Sequence, residues 1–281
     1  MKNIILILLA FISVLFTACQ DDIILDLDGQ VLEKITVDAS LSNIAEEQSI
    51  LISRTSDYYN TDFRNLRVTG ATVTVSVNGN DVLLTENDPS TSRGRYSLPS
   101  NFTFNVGDEV SLRAEVDGEI LTASQIVEKT LKIDSITFSL SSFVELGFST
   151  DTTYDIIAHY APVETEKEGF YLFNLYYNGK LQTTKPSERT IRNVLPDATY
   201  ISRSIGSVAL EDLEKGEWIT VEVWGVNEDF ARFYSILFNQ VDLSGNPFAA
   251  SPPANVPTNI TNGLGYFIAS DVDTIGRKFL E

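Results

Sequence analysis

The chain has 281 residues and is strongly acidic, with 39 Asp and Glu against 20 Lys and Arg and a formal net charge of −19. Such a charge repels nucleic acid and anionic lipid surfaces, so neither is an expected partner. Hydrophobic residues make up 43% of the chain, which is enough for folded cores, so the acidity belongs to the surface and does not indicate disorder. With one cysteine, no disulfide can form within the chain.

The first 18 residues have the pattern of a lipoprotein signal peptide. Lys2 precedes an apolar run over residues 4–16, and small residues then lead to Cys19. The run is too short to cross a bilayer, where about 20 apolar residues are needed. Small residues just before a cysteine resemble a bacterial lipobox, in which the cysteine is lipidated and becomes the mature N-terminus. We therefore expect a lipid anchor on Cys19, and the alternative is ordinary secretion with a free thiol.

An acidic tether over residues 19–30 follows the signal peptide. Gln20, Asp21 and Asp22 stand directly behind Cys19 and resemble the lipoprotein export signal of Bacteroidota, which sends lipoproteins to the outer face of the outer membrane. The resemblance implies an outer-membrane protein that faces the cell exterior. A solvated tether without a targeting role is the alternative, because runs of charge are usually solvated.

Residues 31–126 predict a first β-sandwich. Residues 71–77 (ATVTVSV) alternate apolar and hydroxyl side chains, which indicates a half-buried strand with Val73, Val75 and Val77 inward. Asn78-Gly79 then suits a type I′ hairpin turn, and a second hairpin is expected around Asp117-Gly118. Six to eight short strands over about 100 residues are typical of an immunoglobulin-like sandwich.

Residues 127–281 predict a second, β-sandwich-like domain. Residues 169–177 (GFYLFNLYY) are apolar on both faces, as expected of a central strand. Apolar residues at helical spacing from Phe230 to Leu237, behind Asn227 as N-cap, predict one short helix over residues 228–240. Residues 262–270 are expected to close this domain as its final strand. The predicted fold class is mainly β, with two immunoglobulin- or fibronectin-like sandwiches and a helix near the C-terminus.

The order of several segments, more than a single motif, resembles a known family. These segments are the lipobox, the acidic tether, LISRTSDYYN, GATVTVSVNGN, KIDSITF, the late helix and the ending PANVPTNITNGLGYFIAS. Together they resemble the Bacteroidota outer-membrane lipoproteins of domain-of-unknown-function family 4249, over nearly the whole mature chain. The resemblance implies a neighbouring gene for a TonB-dependent transporter, and no catalytic residues are assigned to the family. We therefore expect a non-catalytic accessory or substrate-binding subunit of such a β-barrel transporter.

Catalytic and cofactor chemistry finds little support in the sequence. His159 is the only histidine and stands in an alternating strand, so we expect it to be structural or exposed. One histidine and a lipidated Cys19 exclude Cys-His catalysis and a Cys/His zinc cage. No nucleophile elbow, phosphate loop or dinucleotide fingerprint is present. We predict no enzymatic activity, no cofactor and no metal, with a hydrolase that uses paired carboxylates as an open alternative.

Candidate contact and modification residues are weaker signals. Tyr58, Tyr59 and Phe248 lie in predicted loops, where exposed aromatic residues favour partner contacts, although ordinary turns are equally consistent. Trp218 and Trp224 are six residues apart on one strand face, about 20 Å from each other, so they cannot by themselves form one sugar-stacking platform and are expected to be packing or strand-end residues.

Three sites carry the Asp-Ser/Thr-apolar pattern of Bacteroidota O-glycosylation, at Ser135, Thr152 and Thr274. The second functional hypothesis is a free-standing surface lipoprotein that binds a glycan or a peptide.

Overall fold

The computed structural model describes residues 33–44, 48–56, 62–147, 151–161, 168–183, 190–194, 200–241 and 255–280. The signal peptide, Cys19 and the acidic tether lie outside these residues. No helix in the described ranges is long and apolar enough to cross a membrane.

Two β-sheets built mainly from the first 126 residues enclose the first hydrophobic core. One sheet has the order β16-β1-β2-β6-β5 and the other the order β4-β3-β7-β8. Their strands are β1 (Ile35–Ser42), β2 (Ser49–Arg54), β3 (Thr72–Val77), β4 (Asn80–Leu83), β5 (Thr85–Glu86), β6 (Arg95–Ser97), β7 (Glu109–Val116), β8 (Glu119–Ile126) and β16 (Leu264–Ser270). A short helix, α1 (Pro89–Ser92), precedes β6.

The alternating sequence of β3 forms the half-buried strand that was predicted. Val73 and Val75 are fully buried in the first core, and Val77 packs against it. The hairpin after β3 turns at Asn78 (φ 49°) and Gly79 (φ 81°), and β7 turns into β8 at Asp117 (φ 51°) and Gly118 (φ 86°). Positive φ at both central residues is the requirement of a type I′ turn, so both predicted hairpins are confirmed.

Two further sheets enclose the second core. A three-stranded sheet has the order β14-β10-β9, and the facing sheet has the order β12-β11-β15-β17, with β13 also paired to β11. Their strands are β9 (Ile133–Leu140), β10 (Thr153–Tyr160), β11 (Gly169–Tyr177), β12 (Lys180–Leu181), β13 (Thr190–Val194), β14 (Ile201–Ala209), β15 (Trp218–Val226) and β17 (Val272–Lys278). A short helix, α2 (Ser142–Glu145), follows β9.

Strand β11 is buried on both faces, as its sequence predicted. Tyr171, Phe173 and Leu175 point into the second core, whereas Leu172 packs on the opposite face against the helix α3 (Glu228–Val241). The observed helix agrees with the predicted range 228–240, and its N-cap is Asn227, whose Oδ1 accepts a hydrogen bond of 2.8 Å from the Phe230 N–H. The mainly β, sandwich-like fold class is confirmed.

The expectation that residues 262–270 close the second domain is wrong. Strand β16 instead pairs in parallel with β1, with Val37 opposite Gly265 and Ser42 opposite Ser270. Phe267 and Ala269 on one face of β16 enter the first core, which explains the pairing. The true closing strand of the second sandwich is β17, which pairs with β15 and was not predicted. The rest of the predicted division at residue 126 stays a prediction.

Candidate functional site

Two chain segments run side by side where the sandwiches meet. One is the linker between β8 and β9, and the other is the connection from β16 to β17, which contains Asp271. The two carboxylate oxygens of Asp271 accept hydrogen bonds from the Asn43 side-chain amide (2.6 Å) and from the Thr130 backbone N–H (3.0 Å). Its carbonyl oxygen accepts a third, from the Gly225 N–H (3.0 Å). Asp271 therefore joins the linker and the β16–β17 connection to each other and to β15.

Gly225 permits a close approach between the linker and β15. A Cβ built at Gly225 would lie 2.7 Å from the Lys129 carbonyl carbon and 2.8 Å from the Thr130 nitrogen, so no side chain fits. The Thr130 hydroxyl also donates to the Val223 carbonyl oxygen over 3.2 Å. The backbone of the linker thus lies directly on the backbone of β15, which holds the linker against this strand.

Helix α3 packs on the place where the two sandwiches meet. Phe230 and Phe233 on the helix contact Tyr266 of β16, with ring centroids 5.2 and 4.6 Å apart. The same cluster includes Leu172 and Val226 of the second sandwich, so the helix packs against both sandwiches at once. Aromatic pairs at these distances contribute attraction beyond the burial of area.

A cleft of about 710 Å³ opens where the linker, the start of β11 and the start of α3 come together. Four carboxylates line it, on Glu128, Glu168, Glu228 and Asp229, and one lysine does, Lys129. Apolar lining is supplied by neighbouring strand residues, among them Phe170 and Val226. The cleft is therefore an anionic site with apolar walls, and the described residues of its lining sum to a net charge of −3.

Two tyrosines near this cleft have perturbed acidities. Tyr171 lines the cleft and is 3% exposed, and its pKa is raised by burial, with smaller contributions from Tyr160 and Glu128. Burial also raises the pKa of Tyr266 to about 12, and Asp229 adds to the shift. In both cases removal from water disfavours the phenolate, and a neighbouring negative charge disfavours it further.

A second polar cluster lies on the outer face of β11 and β15. Glu222 is 8% exposed and accepts hydrogen bonds from the Asn174 amide (2.9 Å), the Tyr176 hydroxyl (3.3 Å) and the Trp224 indole N–H. Three donors compensate the buried carboxylate, which is the arrangement of a structural group. Trp224 thus packs within the fold. Trp218 on the same strand is 45% exposed, with its indole over Gly276.

The single histidine is held by hydroxyl groups. His159 Nε2 lies 2.7 Å from Thr137 Oγ1, and Nδ1 lies 2.8 Å from Ser202 Oγ. Both ring nitrogens are therefore engaged across the outer face of the three-stranded sheet, on β9 and β14. A catalytic triad needs a carboxylate at one of these positions, so this arrangement supports a structural role.

The structure places few of the predicted site residues. Those that lie outside the described residues are Cys19, Gln20, Asp21, Asp22, Tyr58, Tyr59 and Phe248. Of the glycosylation candidates, Ser135 on β9 and Thr152 before β10 are partly buried, whereas Thr274 on β17 is exposed. They lie in two different sheets and form no common site. Their modification stays a prediction.

Sequence reasoning missed the cleft. The sequence does not distinguish Glu128, Glu168 or Tyr171 as site residues, and Glu228 and Asp229 stand where acidic residues commonly begin a helix. Each has the appearance of an ordinary strand or surface residue when read alone. The one local signal that could have indicated the cleft is that the acidic residues Glu228 and Asp229 begin a helix directly after a strand that ends at Val226.

Comparison with known proteins places the chain in a family. A structure of the FN1–FN3 domains of chicken CNTN1 aligns at 12% identity over 69% of this chain and 61% of that chain, with a TM-score of 0.23. A segment of two fibronectin type III domains from chicken tenascin aligns at 10% identity over 69% and 89%, with a TM-score of 0.21. No curated protein matches the chain. Residues 20–275 match the family model described as Domain of unknown function (DUF4249), and the chain therefore belongs to the DUF4249 family.

Proposed function

We propose that this protein is an outer-membrane lipoprotein, anchored through Cys19 and facing the cell exterior, that serves as a non-catalytic accessory or substrate-binding subunit of a TonB-dependent transporter. The anchoring part rests on the apolar leader, the small residues before Cys19 and the acidic tether behind it. Several acyl chains on one cysteine hold a protein at a membrane without a spanning helix, because each buried methylene contributes about 0.8 kcal/mol.

The observation that carries the binding role is the cleft at the junction of the two sandwiches. Its volume of about 710 Å³ is within the usual range of ligand sites, which is about 300–1,000 Å³. The elements around it are fixed to one another through Asp271, Gly225 and helix α3. A cleft with rigid walls can bind a ligand without first ordering its own residues.

The non-catalytic part of the proposal is supported by what the reactive side chains already do. His159 is engaged by two hydroxyl groups, and the Glu222 carboxylate is satisfied by three donors within the fold. Neither group is positioned as a general base beside an open cleft. The four cleft carboxylates supply negative charge, which suits binding.

The test is a detergent pull-down of the tagged, lipidated protein from its native outer membrane, with mass spectrometry of the copurifying proteins. We expect a TonB-dependent β-barrel in near-stoichiometric amount. A Cys19→Ser variant, which cannot be lipidated, is the control and should leave the membrane fraction. If the wild-type protein comes without a barrel, the transporter role is wrong.

A free-standing surface lipoprotein that binds a glycan is the second candidate. The observation that favours it is Trp218, which is 45% exposed and whose indole lies over Gly276. Sugars stack on such aromatic faces. This candidate predicts that the protein purifies alone and that Trp218→Ala removes its binding to a glycan array, with Trp224→Phe as the control.

A further inference from the structure

We propose that the junction cleft binds a basic peptide segment, with the cleft carboxylates pairing with its cationic groups and the Tyr171 hydroxyl bonding to it at the cleft floor. This inference deepens the proposed function and rests on its premise that the cleft is a ligand site.

The negative charge of the cleft lining favours a positively charged ligand. Glu128 comes from the linker, whereas Glu228 and Asp229 come from the first turn of α3, so negative groups stand on separate elements around the cleft. Among the lining residues that the structure describes, Lys129 carries the one opposing charge. A concave surface with one dominant sign concentrates ions of the opposite sign. A helix N-terminus alone would favour anions, but here Asn227 caps it and its acidic residues reverse the local charge.

The second observation is a tyrosine hydroxyl in the cleft lining. The Tyr171 side chain is 3% exposed, and its hydroxyl makes no hydrogen bond to another residue in the described part of the chain. That hydroxyl lies against Gly169, where a Cβ would approach it to 2.3 Å, so Gly169 leaves room for it within the cleft lining. The hydroxyl is therefore available to a ligand group in the cleft, because a tyrosine hydroxyl can accept a hydrogen bond from an ammonium or donate one to a peptide carbonyl.

The apolar walls and the volume of the cleft favour a short basic peptide over a single metal ion. Phe170 and Val226 lie beside the carboxylates and can cover the methylene stems of lysine and arginine, whose charged ends then reach the acidic rim. A single metal ion would occupy a small part of about 710 Å³ and would leave these walls uncovered. A peptide of a few residues with two or more positive charges fits both the charge and the walls.

The test measures binding of a fluorescein-labelled Lys-Leu-Arg-Lys peptide to the purified lipidated protein in detergent by fluorescence anisotropy. Competitors are the unlabelled peptide, Glu-Leu-Asp-Glu and calcium chloride. We expect competition by the basic peptide alone, and weaker binding as sodium chloride rises, because exposed ion pairs are screened by salt.

Two triple variants with the same change in net charge separate local from general electrostatics. The cleft variant combines Glu128→Gln, Glu228→Gln and Asp229→Asn. The control variant neutralises three exposed acids on other surfaces through Asp81→Asn, Glu119→Gln and Glu211→Gln. We expect the cleft variant to weaken binding about tenfold or more, since three weak ion pairs are lost together, and the control to change it less than about twofold.

Tyr171→Phe keeps the packing of the ring and removes only the hydroxyl. We expect it to weaken peptide binding about threefold to tenfold, as for the loss of one hydrogen bond, with an unchanged far-ultraviolet circular dichroism spectrum. The proposal is overturned if both triple variants weaken binding equally, if Tyr171→Phe binds as the wild type does, or if calcium displaces the peptide. If a barrel copurifies but the peptide does not bind, only this inference fails. If the peptide binds and no barrel follows, only the transporter role fails.

Discussion

Gly225→Ala is the sharpest test of how the two sandwiches are held together. The backbone of Gly225 has no positive φ, so alanine itself is not strained there, and the whole effect comes from space. The new Cβ would meet the Lys129 carbonyl carbon at 2.7 Å and the Thr130 nitrogen at 2.8 Å. Both atoms belong to the backbone and cannot rotate away. The linker must therefore move off β15.

The magnitude follows from two contributions. Overpacking by one methyl group costs about 1–3 kcal/mol. If the linker shifts, the hydrogen bonds of Thr130 to Asp271 and to Val223 also weaken, at about 0.5–1.5 kcal/mol each. We expect the free energy of unfolding to fall by about 2–6 kcal/mol, which corresponds to a decrease of about 4–24 °C in Tm for a domain of this size.

Urea unfolding of the soluble chain that begins at residue 20, followed by two probes, is the assay. Both tryptophans of the protein, Trp218 and Trp224, lie on β15, so tryptophan fluorescence reports the second sandwich, whereas far-ultraviolet circular dichroism reports every sheet. We expect coincident transitions in the wild type and separate ones in Gly225→Ala, because the junction that couples the cores is loosened.

Gly206→Ala is the matched control for the glycine change. Its new Cβ would meet only the end of the Leu175 side chain, which can rotate, so the expected loss is about 1 kcal/mol or less. Equal losses in the two variants, or a Gly225→Ala protein within about 0.5 kcal/mol of the wild type, would show that the close approach of the linker does not hold the junction.

Three further changes test other parts of the fold. Asp271→Ala leaves two hydrogen-bond donors without an acceptor and should lower the free energy of unfolding by about 1–3 kcal/mol in urea titrations, whereas Asp271→Asn should lose less. Gly265→Ala combines a φ of +93° with a Cβ only 2.0 Å from the Val37 carbonyl oxygen, so β16 should detach from β1, seen as a loss of near-ultraviolet circular dichroism around the tyrosines. Tyr266 has a folded-state pKa of about 12 against 10.0 unfolded, so its neutral form contributes stability that is complete below pH 10 and is lost as pH rises through 12. Tyr266→Phe should therefore lose about 2 kcal/mol less than the wild type between pH 9 and pH 12, and an equal loss in both proteins would contradict the shifted pKa.

Local patterns in the sequence predicted those elements that are decided by neighbouring residues. Asn78-Gly79 defines its hairpin because only such residues accept positive φ at both turn positions at little cost. The spacing of Phe230, Phe233 and Tyr234 defines α3 because these side chains fall on one helical face, which is buried against Tyr266. Such signals need no knowledge of the partner that covers the buried face.

The pairing of β16 could not be predicted in the same way. Alternation over residues 264–270 indicates a strand, but both faces of this strand are apolar, with Phe267 directed to the first core and Tyr266 to α3. Nothing local states which sheet receives it, because its partner β1 is more than 200 residues away in the chain. Strand β17 was missed for the opposite reason, since Val272 is its one buried residue and its other side chains are partly or fully exposed.

The cleft is the least local feature of all, because its lining comes from the linker, the start of β11, the end of β15 and the start of α3, which are distant from one another in the chain. Two of the chain's passages between the sandwiches, the linker before β9 and the connection at Asp271, are joined by a hydrogen bond from the Thr130 N–H to the Asp271 carboxylate. These joined segments and the helix packed on both sandwiches hold the elements around the cleft in place. The carboxylates of Glu128 and Asp229 therefore line one cleft, and a cationic ligand can pair with them without first ordering the elements that carry them.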